Sequence, residues 1–444
     1  MKSKIRSIVI MLLLHPNTTR TKRFLSELKR RLLFRKHRIR VFLQLDDPYS
    51  YLLIHYLQFV KSNYNVEIEL LLSQSLRGDF APEPAKQAEY AVSDCRMVAA
   101  ELGVPFLDVA EMPVVEHRRP LLTLLAEEQG QDDFFETFQE ALTVYWRGDQ
   151  EGAARLVSNV TTDQAETNVL VSKNQLLLRK LGHYNSAMML YAGEWYWGVD
   201  RLHYLVDRLD GLGVRQLPEA VPEIASMRQA MSLALPAAIP ASASELPAVD
   251  YFHSFRSPYS YLSLKRTFEI ADAFGVQLNI KPVLPMVMRG MKMPRNKLIY
   301  IARDANREAQ TLDVPFGKFA DPVGEGVKRA LAVFFYARSQ GKEREFMLAC
   351  GNGSWAEAID IATDEGLREV TEKAGLFWPD VLTALEDDDW KAMAEANREE
   401  LTSLGLWGVP SYRFEDACMW GQDRAWLLAR KLEDRCHDGD GIMT

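Results

Sequence analysis

Cysteine is scarce in this chain: 444 residues hold only four, Cys95, Cys350, Cys418 and Cys436, and no two are close enough to form a CxxC. That spacing excludes zinc ribbons, dithiol redox motifs and a disulfide-built secreted scaffold. Glycine and proline, at 25 and 20, are too few for a fibrous or disordered chain. Long apolar runs are missing as well. The longest near the start, Ile8 to Leu14, falls far short of the ~18 residues that span a bilayer. No small-x-small cleavage site follows it, so the expectation is a cytoplasmic protein without a transmembrane segment. The chain contains no Walker loop, GxGxxG, HExxH or GxSxG, and its eight histidines lack ligand spacing, so no metal site is expected.

The hydrophobic share of 47% and charged share of 26% describe a globular protein, and the length calls for two or more domains. The net charge of −8 is unevenly spread. Residues 1–40 carry 13 Lys or Arg against a single acid, Glu27, for +12, which leaves −20 on the other 404. Within TKRFLSELKRRLLFRKHRIR, Leu25, Leu28 and Leu32 fall on one helical face ringed by cations. Such a helix suits anionic lipid or nucleic acid, or else docks its leucines on the acidic remainder of the chain, which is the reading preferred here. An acidic body makes nucleic acid an unfavourable main ligand.

The chain repeats itself. Pro48-Tyr49-Ser50-Tyr51-Leu52 returns 210 residues later as Pro258-Tyr259-Ser260-Tyr261-Leu262. At the same offset Val66 meets Val276, Tyr90 meets Tyr300, Asp94 meets Asp304, and Val104-Pro105-Phe106 meets Val314-Pro315-Phe316. Further on, Trp197-Gly198-x-Asp200-Arg201 meets Trp420-Gly421-x-Asp423-Arg424 at an offset of 223, so the second copy holds 13 extra residues. Ordered matches over this span indicate a tandem duplication. The expected boundaries are a basic segment 1–40, a first domain 41–212, a Pro/Ala-rich linker 213–248 that breaks helical and strand patterns, and a second domain 249–444.

Each copy reads alike. A short strand (Val41 to Leu45; Val249 to Phe252) leads into PYSYL, where proline suits the first turn of a helix. Alternation at Val66 to Leu72 and Val276 to Ile280 predicts a second, parallel strand. A helical block follows, then two closing strands (Ala187 to Tyr191 with Trp195 to Trp197; Tyr412 to Phe414 with Cys418 to Trp420) and a last helix near Asp200 or Asp423. The fold class is therefore α/β: two tandem thioredoxin-like domains, each with an inserted all-helical subdomain.

Three segments of the second copy, FRSPYSYL, GVPSY at Gly408 to Tyr412 and MWGQDR at Met419 to Arg424, resemble the 2-hydroxychromene-2-carboxylate isomerases and kappa-class glutathione transferases of the DsbA-like superfamily. The likeness runs from Val249 to about Arg435. It implies glutathione as cofactor, with the Ser257 hydroxyl on the glutathione sulfur in the place of a disulfide oxidoreductase's reactive cysteine. It also implies a cis Val409-Pro410 bond that turns the Val409 backbone toward the cysteinyl part, Gln422 and Asp423 at the γ-glutamyl end, and Asn296 and Lys297 near the glycyl end. Where the family often has Gly-Asn after the second strand, this chain has Gly290-Met291.

The residue type fits such chemistry. A free thiol with a pKa of about 8.5 is only slightly ionised at neutral pH, and a hydroxyl donor at a helix N-terminus favours its anion. Ser257 also reads as an ordinary N-cap and Asp423 as another. The first copy departs from the pattern, with Asp47 opposite Ser257 and Ala187 opposite Pro410. A carboxylate there repels a thiolate, so that half is expected to be degenerate, packed with the second as an intramolecular pseudo-dimer. His253 reads as structural. The implied activity is a glutathione-dependent isomerase or transferase acting on a small-molecule electrophilic conjugated carbonyl. The rival reading is a non-catalytic tandem thioredoxin-like binding or scaffold protein, and a CxxC disulfide oxidoreductase is excluded.

Overall fold

The computed structural model describes residues 15–74, 78–106 and 115–440. Contacts divide these into two units, one holding Lys22–Ser232 with Pro294–Lys297, the other residues 15–21 with Leu233–Met293 and residues 298–440.

In the first unit, strand β1 (His37–Leu43) pairs in parallel with β2 (Val66–Leu72) and antiparallel with β3 (Met188–Tyr191), which pairs with β4 (Glu194–Trp197), giving the sheet order β2-β1-β3-β4. Helix α2 (Pro48–Asn63) makes the parallel crossover, and α3 (Gly198–Gly211) follows β4. Between β2 and β3 lie the helices Pro84–Leu102, Val115–Glu128, Phe134–Trp146, Gln150–Leu156 and Gln164–Lys180. Central β1 is buried, with Ile39, Val41, Phe42 and Leu43 all at 0% exposure, as a strand covered on both faces must be.

Strand β1 starts at His37 rather than at Val41, so the last residues of the basic segment belong to the sheet. In the parallel register Arg38 faces Glu67 and Arg40 faces Glu69, and both couples form ion pairs, at 3.1 and 2.8 Å. Part of the positive charge counted in the N-terminal segment is thus cross-strand pairing. The rest lies on helix α1 (Pro16–Leu32), at Arg35 and Lys36 between it and β1, or outside the described residues. Its leucines do not dock: Leu25, Leu28 and Leu32 are exposed, and the polar side carries the attachment instead.

The segment after α3 also departs from expectation. It contains helix α4 (Pro222–Ala230), with Pro222 at its first position and Ile224 and Met227 buried. Proline at that position costs no hydrogen bond, so a Pro-rich stretch still makes a helix.

The second unit repeats the plan: β5 (Val249–His253), α5 (Pro258–Phe274), β6 (Leu278–Pro282), a helical insert beginning with α6 (Arg295–Thr311), then β7 (Ser411–Phe414), β8 (Ala417–Trp420) and α7 (Ala425–Asp440), with sheet order β6-β5-β7-β8. Gln422–Arg424 form a single 3-10 turn before α7, so the last helix begins two residues beyond Asp423. The order β-α-β, helices, β-β-α in each half is the two-sheet α/β architecture read from the sequence.

The matched tyrosines have the same work in both halves. Tyr49 donates to Asp94 and Tyr259 to Asp304, each at 2.8 Å. Tyr51 donates to the Pro105 carbonyl and Tyr261 to that of Pro315, at 2.5 and 2.8 Å. These bonds lash the first turn of α2 or α5 to the helical insert of the same half. They explain why tyrosine, aspartate and proline recur together at one offset.

Among the described residues no helix is long and apolar enough to cross a membrane, and no cluster of three or more metal-ligating side chains occurs.

Candidate active site

Strand β5 delivers the chain to Ser257, which caps α5. Its backbone is extended (φ −81°, ψ 120°), Pro258 opens the helix, and its Oγ accepts from the Ser260 amide at 3.1 Å. The same hydroxyl donates to the Val409 carbonyl at 3.3 Å. Ser257 is therefore an N-cap and also the neighbour of the segment before β7. The two roles compete for nothing, since one uses a lone pair and the other the proton.

The Val409-Pro410 bond is cis. Val409 is half-buried, and among the described residues its amide has no hydrogen-bond partner while its carbonyl takes only the Ser257 hydroxyl. An open amide and carbonyl on one residue, beside a capping hydroxyl, form a short edge on which an extended peptide can pair.

Gly408 makes this placement possible. A Cβ there would lie 2.3 Å from the Trp420 ring, and Trp407 packs against Trp420 with ring centroids 4.6 Å apart. Arg289 fixes the same turn by donating to the Trp407 carbonyl at 2.7 Å. Gly408 was visible as part of GVPSY, but its reason, an indole 12 residues on, was not. Gly408→Ala is expected to destabilise this unit by about 1–3 kcal/mol through overpacking. The drop is measured by chemical denaturation, and an unchanged midpoint would show that the turn yields freely.

Gln422 is buried and donates to Glu308 at 2.8 Å and to Asp423, and it accepts from Arg266 at 3.4 Å. Glutamine 422 is thus tied into the unit's own network, while Asp423 is half-buried beside it. Asn296 and Lys297 fall apart from this group: both lie in Pro294–Lys297, which belongs with the first-half unit. There Lys297 Nζ reaches the Phe80 carbonyl at 3.5 Å, and burial lowers its amine pKa. The structure gathers Ser257, Val409, Pro410, Gln422 and Asp423 in one unit and leaves Asn296 and Lys297 outside it.

Two titratable groups beside the cap take no part in the chemistry. Arg256 is held in a bidentate pair with Asp321 at 2.8 Å. His253 is fully buried against Tyr251 at 3.2 Å, and burial alone pushes its imidazole down to about 3, so it is neutral and no base at pH 7. All four cysteines are free, and burial pushes the Cys350 thiol up to about 12, far from a reactive thiolate.

In the first half the corresponding place is closed. Asp47 caps α2, accepts from the Tyr49 amide at 3.2 Å and the Ser50 hydroxyl at 2.8 Å, and is buried. Burial raises its carboxyl to about 6 against the pull of hydrogen bonds from Ser186 and Ser50. Ser186 precedes Ala187 as Val409 precedes Pro410, so the Asp47–Ser186 bond stands where Ser257 meets Val409. Ala187 has φ 52°, and the peptide before it is not cis.

Residues 248–433 match the model of the DSBA-like thioredoxin domain. A 2-hydroxychromene-2-carboxylate isomerase of Pseudomonas putida is 25% identical over 208 residues, covering 44% of this chain and 99% of that protein. A solved structure of a 2-hydroxychromene-2-carboxylate isomerase aligns at 22% identity over 44% of this chain and 99% of its own, with a TM-score of 0.39. The cytosolic disulfide reductase DsbM of Pseudomonas aeruginosa with GSH aligns at 16% identity over 43% of this chain and 100% of its own, with a TM-score of 0.33.

Proposed function

From the DSBA-like thioredoxin domain at residues 248–433 we infer an isomerase-like enzyme that depends on glutathione and works in its second half. Its substrate class is a small molecule with an electrophilic carbon conjugated to a carbonyl, and the reaction is an isomerisation or a transfer. The observation that carries the reading is the Ser257 hydroxyl 3.3 Å from the Val409 carbonyl, at a helix N-terminus and beside a Val409 amide that has no hydrogen-bond partner among the described residues. This donor set fits a peptide thiol.

Glutathione, when bound, would supply a nucleophilic sulfur. Ser257 turns its proton from the Val409 carbonyl to that sulfur, and the α5 N-terminus adds positive potential. Lowering a thiol pKa by 1–2 units takes only about 1.4–2.7 kcal/mol, which one hydrogen bond to an anion plus a helix end supplies. The Val409 amide and carbonyl hold the cysteinyl backbone in extended form. Asp423 pairs with an ammonium at the γ-glutamyl end. No side chain needs to accept or deliver electrons, which agrees with the lack of a cysteine pair.

The first half has the same ties but a buried carboxyl in place of the serine. We assign it no thiol site and regard the two halves as products of a tandem duplication. Titration calorimetry of the whole chain with glutathione is expected to give one site, and Asp47→Ser is expected to add none, because Ser186 and Ala187 remain. Two comparable sites in the unaltered protein would overturn this assignment, and no site at all would favour a non-catalytic scaffold.

A further inference from the structure

Helix α1 is attached by its polar side. Arg23 makes a bidentate pair with Glu194 at 2.7 and 2.8 Å. Glu27 holds Arg30 and Arg31, each at 2.7 Å, and Arg30 also donates to the Arg35 carbonyl at 2.7 Å. At about 100° per residue, Arg23, Ser26, Glu27 and Arg30 share one flank, and of these Ser26, Glu27 and Arg30 are half-buried. On the opposite flank Phe24, Leu25, Leu28 and Leu32 are 67%, 55%, 42% and 69% exposed. Arg20, Lys22 and Lys29 border that stripe, and among the described residues none of them forms an ion pair.

A surface helix of a globular protein normally buries its apolar stripe and solvates its charges. Here the orientation is reversed, and the sole acid of the helix, Glu27, faces inward. An apolar stripe edged with cations is the chemistry of a helix that lies in a membrane interface. We propose that α1 seats the protein on an anionic bilayer surface, with Phe24, Leu25, Leu28 and Leu32 entering the acyl boundary and Arg20, Lys22 and Lys29 meeting the headgroups. Charge selects this occupant. A second copy of the chain would set cations against cations. A nucleic acid offers phosphates but no apolar layer to receive four large side chains. The inference is independent of the glutathione reading.

The test is co-sedimentation of the full chain with vesicles of phosphatidylcholine alone or with about a third phosphatidylglycerol, at low and physiological salt. Capture by the anionic vesicles, weakened by salt, is expected. Lys22→Gln with Lys29→Gln should weaken it roughly 30-fold, and Leu25→Ser with Leu28→Ser and Leu32→Ser by tenfold or more, with unchanged melting temperatures since all five side chains are exposed. Equal capture by neutral vesicles, no capture, or full binding by the leucine variant would overturn the proposal. So would a dimer abolished by the leucine changes, or retention on duplex DNA without vesicle binding.

Discussion

Ser257→Ala is expected to leave the fold in place and to lower glutathione-dependent turnover about 10- to 100-fold, the loss of roughly 1.4–2.7 kcal/mol of stabilisation of a sulfur anion. Because Ser257 also caps α5 through the Ser260 amide, the variant should lose about 1 kcal/mol of stability as well. The two effects separate in a pH–rate profile. A hydroxyl acting on the thiol sets the apparent pKa of the reaction, so its removal moves that pKa up by about 1–2 units. A residue that only caps would lower the denaturation midpoint and leave the profile where it was. Ser257→Thr, which keeps the hydroxyl, should restore most of the rate. A folded Ser257→Ala protein with unaltered turnover would sink the role altogether.

The second expected result is that the two halves respond to acid in opposite directions. The imidazole of His253 is held near 3 against an ordinary 6.5. It is a base whose folded pKa is depressed, so its unit is stable above pH 6.5 and loses stability as pH falls below it, by about 3 kcal/mol at pH 4. The carboxyl of Asp47 is raised to about 6 from 3.8. Its unit is least stable above pH 6, where the buried carboxylate is charged, and gains about 2–3 kcal/mol as pH falls toward 4. Calorimetry at pH 4.5 and 7.5 should therefore show two transitions that shift relative to each other. Asp47→Asn should raise the first-half transition at pH 7.5 and change little near pH 4. His253→Phe should remove the acid sensitivity of the other. Transitions that move together in both variants would show that neither group is desolvated as described.

Much of this was legible because repetition exposed it. The match of Tyr49, Asp94 and Pro105 with Tyr259, Asp304 and Pro315 pointed to common architecture, and the hydrogen bonds between those residues are what the pattern recorded. The neighbourhood of Ser257 and Val409 followed from resemblance to known motifs rather than from spacing, since nothing in a sequence brings together residues 152 apart. What failed to be legible depended on distant partners. Arg38 and Arg40 looked like a basic tail because Glu67 and Glu69 lie some 30 residues on. The leucines of α1 looked like a docking face because Glu194, which holds the opposite flank, is 171 residues from Arg23. Asn296 and Lys297 were placed near the glycyl end by the resemblance, and only packing shows that the start of α6 groups with the other unit. The helix at Pro222 was hidden by composition, which does not distinguish proline at a first turn from proline that breaks one.

The paired tyrosine ties have a consequence for how this molecule can be studied. One chain holds two units with the same strand order, the same lashings and the same temperature and solvent history, differing where a serine faces a carbonyl in one and a buried acid meets a serine in the other. Any labelling, exchange or crosslinking signal that appears in both halves reports on architecture, and a signal confined to the second reports on chemistry. The protein carries its own blank.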